Sequence, residues 1–193
     1  MKKIVFALIA SAAVVCAAQA QDTTTNAPRS YIGIGAATAD HDYSINGLRT
    51  TGNDDWKTSA KLFGGYEINN SWGVEAGYTD FRKSGFNYTN AAGVAGNGSS
   101  DGHAVYLAAK GNMPLNEQFS AFGKLGVENT HRSFSTTTGA SGSDSDTGVY
   151  AGVGVQYKLS KEVALTAEYE RYGNKKDYGV KPDVWTVGAR YNF

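Results

Sequence analysis

Charged side chains recur at alternate positions along this chain, and they are its first candidates for chemistry. Glu168 and Glu170 stand two residues apart, so both carboxylates lie on one face of a β-strand. Such a pair can perform acid–base catalysis. Cations on the corresponding face of other predicted strands make ion pairing the simpler role. The residues of this polar set are Lys61, Lys110, Lys124, Arg190, Glu67, Glu75, Glu128, Glu168 and Glu170. We predict that Glu75 and Lys110 form an ion pair. The residues predicted to extend this ion-pair network are Lys124, Glu168 and Arg190.

Histidine and serine offer a second chemistry, nucleophilic hydrolysis. His103 and His131 fall on the face of their predicted strands that is opposite to the charged residues, and Ser133 follows His131 on the same face. A Ser–His pair can attack an ester when the imidazole activates the hydroxyl. No recognisable nucleophile motif surrounds Ser133, however, and His41 is predicted to lie in a loop. The sequence therefore favours a protein that is not an enzyme and has no catalytic residues.

Acidic residues in two polar segments could bind a metal ion. Asp54-Asp55 and Asp144-Ser145-Asp146 supply the oxygen ligands that Ca²⁺ prefers. Isolated acidic pairs in loops are usually solvated, and the chain contains no CxxC or HExxH motif. The Gly-rich segment 93–100 precedes no predicted helix, so it does not resemble a phosphate-binding loop. We expect no metal and no cofactor.

Composition excludes several classes of protein. The 193 residues carry 18 Lys plus Arg against 18 Asp plus Glu, so there is no excess of cations to bind nucleic acid. A mean hydropathy of −0.37 argues against a helical membrane protein. The chain has 24 Gly, 12 Tyr and only 3 Pro, which favours close-packed β-structure in a single domain.

The N-terminus has the pattern of a secretory signal peptide. Lys2 and Lys3 precede an apolar run that is too short to span a membrane, and Ala18-Gln19-Ala20 provides small residues for cleavage. We predict a signal peptide over 1–20 and a flexible lead-in over 21–28. A lipid-modified Cys16 is the weaker alternative, because bulky Val15 precedes it.

Alternation of polar and apolar residues dominates the rest of the chain, 29–193. It predicts eight strands of about ten residues each. The predicted strands are 30–39, 56–68, 72–82, 102–113, 118–131, 147–159, 162–173 and 183–193. Short turns alternate with longer polar connections at 40–55, 83–101, 132–146 and 174–182. This alternation of short and long connections is typical of outer-membrane barrels.

The distribution of charge between the two faces separates two kinds of barrel. A soluble barrel of the lipocalin type has eight strands but keeps its larger apolar residues inside. Here the face with Ile34, Leu107, Val153 and Leu165 is almost free of charge, whereas the opposite face holds the ion-pair candidates and many glycines. Lys or Arg facing hydrocarbon costs about 2–4 kcal/mol at the bilayer midplane. The charged face is therefore predicted to point inward, and the fold is an eight-stranded antiparallel transmembrane β-barrel.

Aromatic residues support this orientation. They fall on the apolar face near the strand ends, where amphipathic rings meet lipid headgroups. The predicted girdle consists of Tyr66, Trp72, Phe119, Tyr157, Tyr191 and Phe193 beside the short turns, with Tyr78 and Trp185 toward the long connections. His103 and His131 are expected at the same headgroup interface.

The C-terminal strand resembles the signal that the outer-membrane barrel-assembly machinery reads. Thr186, Gly188, Tyr191 and Phe193 fill its pattern of a polar residue, a glycine and two aromatics. Segments 63–78, 107–115, 122–127 and 148–172 resemble, in the same order, the transmembrane domain of the outer membrane protein A (OmpA) family of Gram-negative bacteria. The resemblance implies a multi-pass barrel in the outer membrane, here expected to stand alone without the family's periplasmic peptidoglycan-binding domain.

The same resemblance implies an ion-pair gate that this chain matches only in part. Glu75 and Lys110 occupy matching positions, but Gln156 and Thr166 stand where a carboxylate and an arginine are expected. The sequence favours a structural or surface-interaction protein whose four outer connections contact an extracellular ligand or host surface. A small porin or narrow ion channel is the main alternative, and a lipid-modifying barrel enzyme is a third. The expected partners are outer-membrane lipids, lipopolysaccharide and the assembly machinery.

Overall fold

A computed structural model describes residues 28–43, 49–53, 56–89, 95–136, 141–173 and 178–193. The predicted signal peptide, Cys16, residues 21–27 of the lead-in and Asp54-Asp55 lie outside the described residues. No helix in the described part of the chain is long and apolar enough to cross a membrane. The strands are β1 (Arg29–Tyr43), β2 (Arg49–Asn53), β3 (Trp56–Glu67), β4 (Trp72–Thr89), β5 (Ala95–Pro114), β6 (Phe119–Thr136), β7 (Ser141–Lys158), β8 (Val163–Tyr172) and β9 (Tyr178–Asn192).

Eight of these strands close into one antiparallel barrel, as predicted. They follow the order β1-β3-β4-β5-β6-β7-β8-β9, and β9 pairs with β1 to complete the ring. The last residue takes part in this closure, because the Phe193 amide donates to the Ser30 carbonyl at 3.0 Å. Closure satisfies the backbone groups of every strand without leaving an edge in the hydrocarbon.

The predicted orientation of the two faces is confirmed. Ile34 and Leu107 are 66% and 59% exposed on the outer wall, and Val153 and Leu165 are also exposed there. Glu75 and Lys110 point inward, each with 1% exposure. The apolar exterior and the charged interior follow directly from the alternation of the sequence.

The three short turns share one local device. The Asn69 side-chain carbonyl accepts bonds from the amides of Ser71 and Trp72, at 2.9 and 2.8 Å. Asn116 does the same in the next turn, and the Ser160 hydroxyl does it in the third. A side chain that accepts from the amides two and three residues later stabilises a tight reversal.

The predicted strand ends were wrong at the outer side of the barrel. β4 continues to Thr89 and β5 begins at Ala95, so most of 83–101 is strand. β6 and β7 likewise extend through most of 132–146, and β2 lies within 40–55 and pairs with β4. His41 belongs to β1 rather than to a loop. Beyond the membrane both faces of a strand meet water, so the sequence there loses the apolar face that marks a strand.

Candidate functional site: the barrel lumen and its outer rim

Glu75 is the centre of the lumen. Its carboxylate accepts hydrogen bonds from the Tyr31 and Tyr106 hydroxyls, each at 2.6 Å. The Lys124 ammonium lies 2.6 Å from the same carboxylate. These donors come from β1, β5 and β6, so one side chain of β4 ties four strands together. A charged acceptor with several donors is among the stronger polar contacts in a protein interior.

Lys110 lies near Glu75 but is not its closest cation. The Lys110 nitrogen is 3.9 Å from the Glu75 carboxylate and 3.8 Å from that of Glu67, so it lies between the two. Lys110 and Lys124 are direct register partners on β5 and β6. Because like charges repel, the two ammoniums separate: Lys124 contacts Glu75 closely and Lys110 shifts toward Glu67.

A second centre lies on β8. The Lys61 ammonium is 2.9 Å from Glu168 and 2.6 Å from Glu170, so it holds both carboxylates that the sequence pairs. Lys124 bonds the other oxygen of Glu168 and thereby joins this centre to Glu75. Glu170 also accepts bonds from the Tyr150 hydroxyl and, at 2.6 Å, from the Thr186 hydroxyl. Both carboxylates are fully engaged, which leaves neither as a free acid or base.

The periplasmic end of the network is formed by Glu67 and Arg190, whose closest atoms are 2.8 Å apart. Partly exposed Arg29 lies 3.7 Å from the same carboxylate. Four inward cations therefore meet four carboxylates, and charge is balanced. The inward cations are Lys61, Lys110, Lys124 and Arg190, and the carboxylates are Glu67, Glu75, Glu168 and Glu170. Glu128 lies apart and accepts a bond from the Thr130 hydroxyl at 2.5 Å.

Aromatic rings fill the lumen on the outer side of these charges. Tyr106 and Tyr150 stack with their ring centres 4.1 Å apart, and Tyr172 packs edge-on against Tyr150. Phe81 meets Tyr172 at 6.0 Å, although their strands, β4 and β8, are four places apart in a ring of eight. The Tyr172 hydroxyl also lies 3.1 Å from that of Thr79 on β4. Contact between opposite walls shows that side chains fill the bore at this level.

These inward aromatics belong to the site although they were absent from the residues predicted for it. Their position along the strands could have identified them. Tyr106 is an even number of residues from inward Lys110, as Tyr150 is from inward Gln156 and Tyr172 from inward Glu170. Glycines opposite the rings gave a second signal. Gly77 is the register partner of Tyr106, and a Cβ there would overlap its ring. The inward glycines therefore make room for rings that lie flat against the wall.

The outer rim carries the histidines. On β5, β6 and β7 the apolar exterior ends at Val105, Val127 and Val149, and polar residues follow. His103 and His131 are register partners there, and the His131 Nδ1 is 2.7 Å from the Ser145 hydroxyl.

Ser133, Asp144 and Asp146 were predicted to lie in the connection 132–146, but the structure places them in β6 and β7. Ser133 is opposite Ser143, one step farther out than the His131–Ser145 pair. Asp144 and Asp146 flank Ser145 on β7, and within the described ranges no three His, Cys, Asp or Glu side chains are arranged to hold a metal.

The girdle residues lie on the outer wall. Phe119 and Tyr157 are register partners with ring centres 4.8 Å apart beside the turns, and Tyr191 contacts Phe193 at 5.2 Å. Trp72 and Trp185 are exposed at opposite ends of the wall, and Tyr66 is half-buried. Within the C-terminal pattern, Thr186 points inward to Glu170 while Gly188 packs against the β1 backbone.

Comparison with known proteins decides the family. Residues 7–193 match the family described as the outer membrane protein beta-barrel domain. The chain belongs to this family. It is 31% identical over 144 residues to outer membrane protein A of Salmonella typhi, a match that covers 69% of this chain and 39% of that protein. The chain therefore spans about two fifths of the length of that relative. It is also 32% identical over 130 residues to the attachment invasion locus protein of Yersinia pseudotuberculosis, covering 66% of this chain and 67% of that protein.

Solved structures of other outer-membrane barrels share the fold. The attachment invasion locus protein of Yersinia pestis, in complex with the heparin analogue sucrose octasulfate, is 25% identical with a TM-score of 0.54, and the match covers 88% of this chain and 100% of that one. OprG of Pseudomonas aeruginosa has a TM-score of 0.62 at 18% identity, covering 90% and 99%. This family member is thus an integral protein of the outer membrane that crosses it with eight strands.

The lumen of this outer-membrane barrel lacks one of the two charged pairs expected for an ion-pair gate. Gln156 and Thr166 are buried register partners on β7 and β8. Neither carries charge, and the Thr166 hydroxyl has no hydrogen-bond partner in the described part of the chain.

Proposed function

We propose that this outer-membrane barrel is a surface-interaction protein. Its sealed wall anchors four outer connections, and those connections bind an extracellular ligand or a host surface. Structural support of the membrane and surface binding are compatible roles for one rigid barrel. Loops held on a rigid scaffold are the usual place for binding residues.

The contact between opposite walls carries this proposal. Phe81 and Tyr172 meet across the lumen, and the charges beneath them are buried and paired. An eight-stranded barrel has room for little more than its own side chains. A filled bore supports a scaffold and argues against the porin alternative.

The length of the outer strands adds support. Gly98 pairs with Thr136 and Ser135 pairs with Ser141, far beyond the apolar exterior that ends at Val105. β2 extends the same sheet by pairing with β4. A paired sheet that rises out of the membrane holds the described strand ends in a fixed position, and pre-organisation of this kind lowers the entropic cost of binding.

The relatives suggest which ligands to test. One is named for attachment and invasion, and the Yersinia pestis protein is described in complex with a sulfated heparin analogue. The structure starts β9 at Tyr178, before the predicted 183, so the segment 174–182 includes the first residues of that strand. This segment carries three lysines against one aspartate, whereas 40–55, which includes β2, carries four aspartates against one arginine. A polyanionic glycan would therefore bind at 174–182.

Whole-cell binding tests the proposal. Cells that display the protein should bind host cells or immobilised heparin, and replacing Lys175, Lys176 and Lys181 by serine in a variant that keeps the paired strand should weaken the heparin binding. A variant shortened only within 44–48, between β1 and β2, is the control and should keep it. A variant shortened only within 90–94, between β4 and β5, is tested in the same way. Surface abundance is measured for each variant with an antibody. If every one of these variants binds all tested surfaces like the parent, the outer connections are not the binding site.

Three further partners are part of the proposal. The apolar exterior and its aromatic girdle contact outer-membrane lipids and lipopolysaccharide. The barrel-assembly machinery reads Thr186, Gly188, Tyr191 and Phe193 at the C-terminus. A signal peptide over 1–20 directs export before the barrel is assembled.

A further inference from the structure

A row of polar side chains crosses the outer rim and takes no part in the lumen network. Asp80, His103, His131 and Ser145 are successive register partners on β4, β5, β6 and β7. Each of the four occupies an outward-facing position of its strand. Two histidines directly opposite each other repel when both are protonated, so this pair contributes little to the stability of the sheet.

The two imidazoles have the spacing of a chelating pair. Their ring centres are 5.4 Å apart. Two imidazoles that bind one tetrahedral zinc ion at their usual bond length have ring centres about 5 Å apart. Tyr78 stacks on the other side of His103 at 5.7 Å and limits its rotation. The two rings are tilted by 39° to each other, and a rotation that turns one nitrogen of each ring toward a shared ion would complete the geometry.

Ser145 orients His131 as a metal site requires. The hydroxyl is hydrogen-bonded to Nδ1 at 2.7 Å. When Nδ1–H donates to this oxygen, the lone pair of His131 is on Nε2, where it can bind a metal. Metal-binding histidines commonly donate their second ring N–H to an oxygen in this way. Asp80, beside His103 in the same row, adds negative charge that favours a cation.

We propose that His103 and His131 form a binding site for one divalent transition-metal ion, such as Zn²⁺, on the outer rim of the barrel. Imidazole nitrogen favours Zn²⁺, Ni²⁺ and Cu²⁺ over Mg²⁺ and Ca²⁺. No third His, Cys, Asp or Glu side chain joins them among the described residues, so water completes the coordination and the ion exchanges readily. This proposal does not depend on the ligand proposed for the outer connections.

Calorimetric titration of the detergent-solubilised protein with ZnCl₂, after removal of any histidine tag, tests this site. The parent protein should bind one equivalent. His103→Ala and His131→Ala should each weaken binding by at least about tenfold, and Ser145→Ala by about tenfold or more through loss of the orienting bond. His41→Ala is the matched control, since the chain has three histidines, and it should bind like the parent. CaCl₂ should give no binding.

Nuclear magnetic resonance of the imidazole C–H groups locates the ion. Zinc should shift the resonances of His103 and His131 and leave those of His41 in place. The three alanine variants within the row, at His103, His131 and Ser145, should keep the heat-modifiable mobility of a folded barrel, because the row lies outside the lumen. The proposal is overturned if the parent does not bind zinc at millimolar concentration. Parent-like affinity in the His103→Ala/His131→Ala double variant overturns it equally.

Discussion

Replacing Glu75 by alanine should destabilise the barrel more than any exposed charge removal. The substitution removes the acceptor of the Tyr31 and Tyr106 hydroxyls and one of the two carboxylates that contact Lys124 closely, all at 2.6 Å from Glu75. It leaves four inward cations against three carboxylates in a buried site. Loss of one partner of a buried ion pair typically costs about 3–5 kcal/mol. Because Lys124 keeps Glu168, we expect the lower end, about 3 kcal/mol.

The free energy of unfolding is measured by urea titration of the protein folded in detergent micelles. Glu117→Ala is the matched control, because Glu117 is exposed in a short turn. It should change the unfolding free energy by less than about 0.5 kcal/mol. Adding Lys124→Met to Glu75→Ala removes the excess buried positive charge and should cost less than the sum of the single changes, by at least about 1 kcal/mol. If Glu75→Ala unfolds like Glu117→Ala, the network does not stabilise the barrel.

Three other changes test separate parts of the account. Gly77→Ala should destabilise by about 1–3 kcal/mol in the same titration, because the new methyl group overlaps the Tyr106 ring, whereas Gly123→Ala, whose Cβ would be 3.9 Å from its nearest neighbour, should be neutral. Leu107→Arg on the lipid-facing wall should cost about 2–4 kcal/mol on folding into vesicles, and Leu107→Ile should not. Deletion of Phe193 should lower the amount of barrel assembled in cells much more than it lowers the melting temperature of refolded protein. Normal assembly beside a large loss of melting temperature would contradict the predicted assembly signal.

The barrel was predictable from sequence where one face of each strand meets hydrocarbon. Ile34 and Leu107 alternate with small or charged residues, so a shift of one position would place Lys110 in lipid, and the register follows. The same reasoning failed for 83–101, where both faces meet water and no alternation remains. The sequence of one such strand does not reveal its pairing, because the pairing depends on the neighbouring strand as well.

The choice of partners inside the lumen was less predictable. Alternation along each strand places Glu75, Lys110 and Lys124 on the inner face. It does not predict which cation contacts which carboxylate across the barrel. That choice depends on the curvature and stagger of the closed sheet, which bring β8 to Lys61 and leave Lys110 between two glutamates. The same alternation places the tyrosines on the inner face. A search for charged residues alone does not find them.

Single-channel recording in a planar lipid bilayer tests the central claim, a sealed barrel that acts through its outer connections. The refolded protein should insert without discrete conductance steps, because Phe81, Tyr106, Tyr150 and Tyr172 fill the lumen above paired charges. A variant with alanine at Phe81 and Tyr172 should be more permeable if those rings form the seal. Stable, ion-selective openings of the parent protein at modest voltage would contradict the sealed lumen and support a channel.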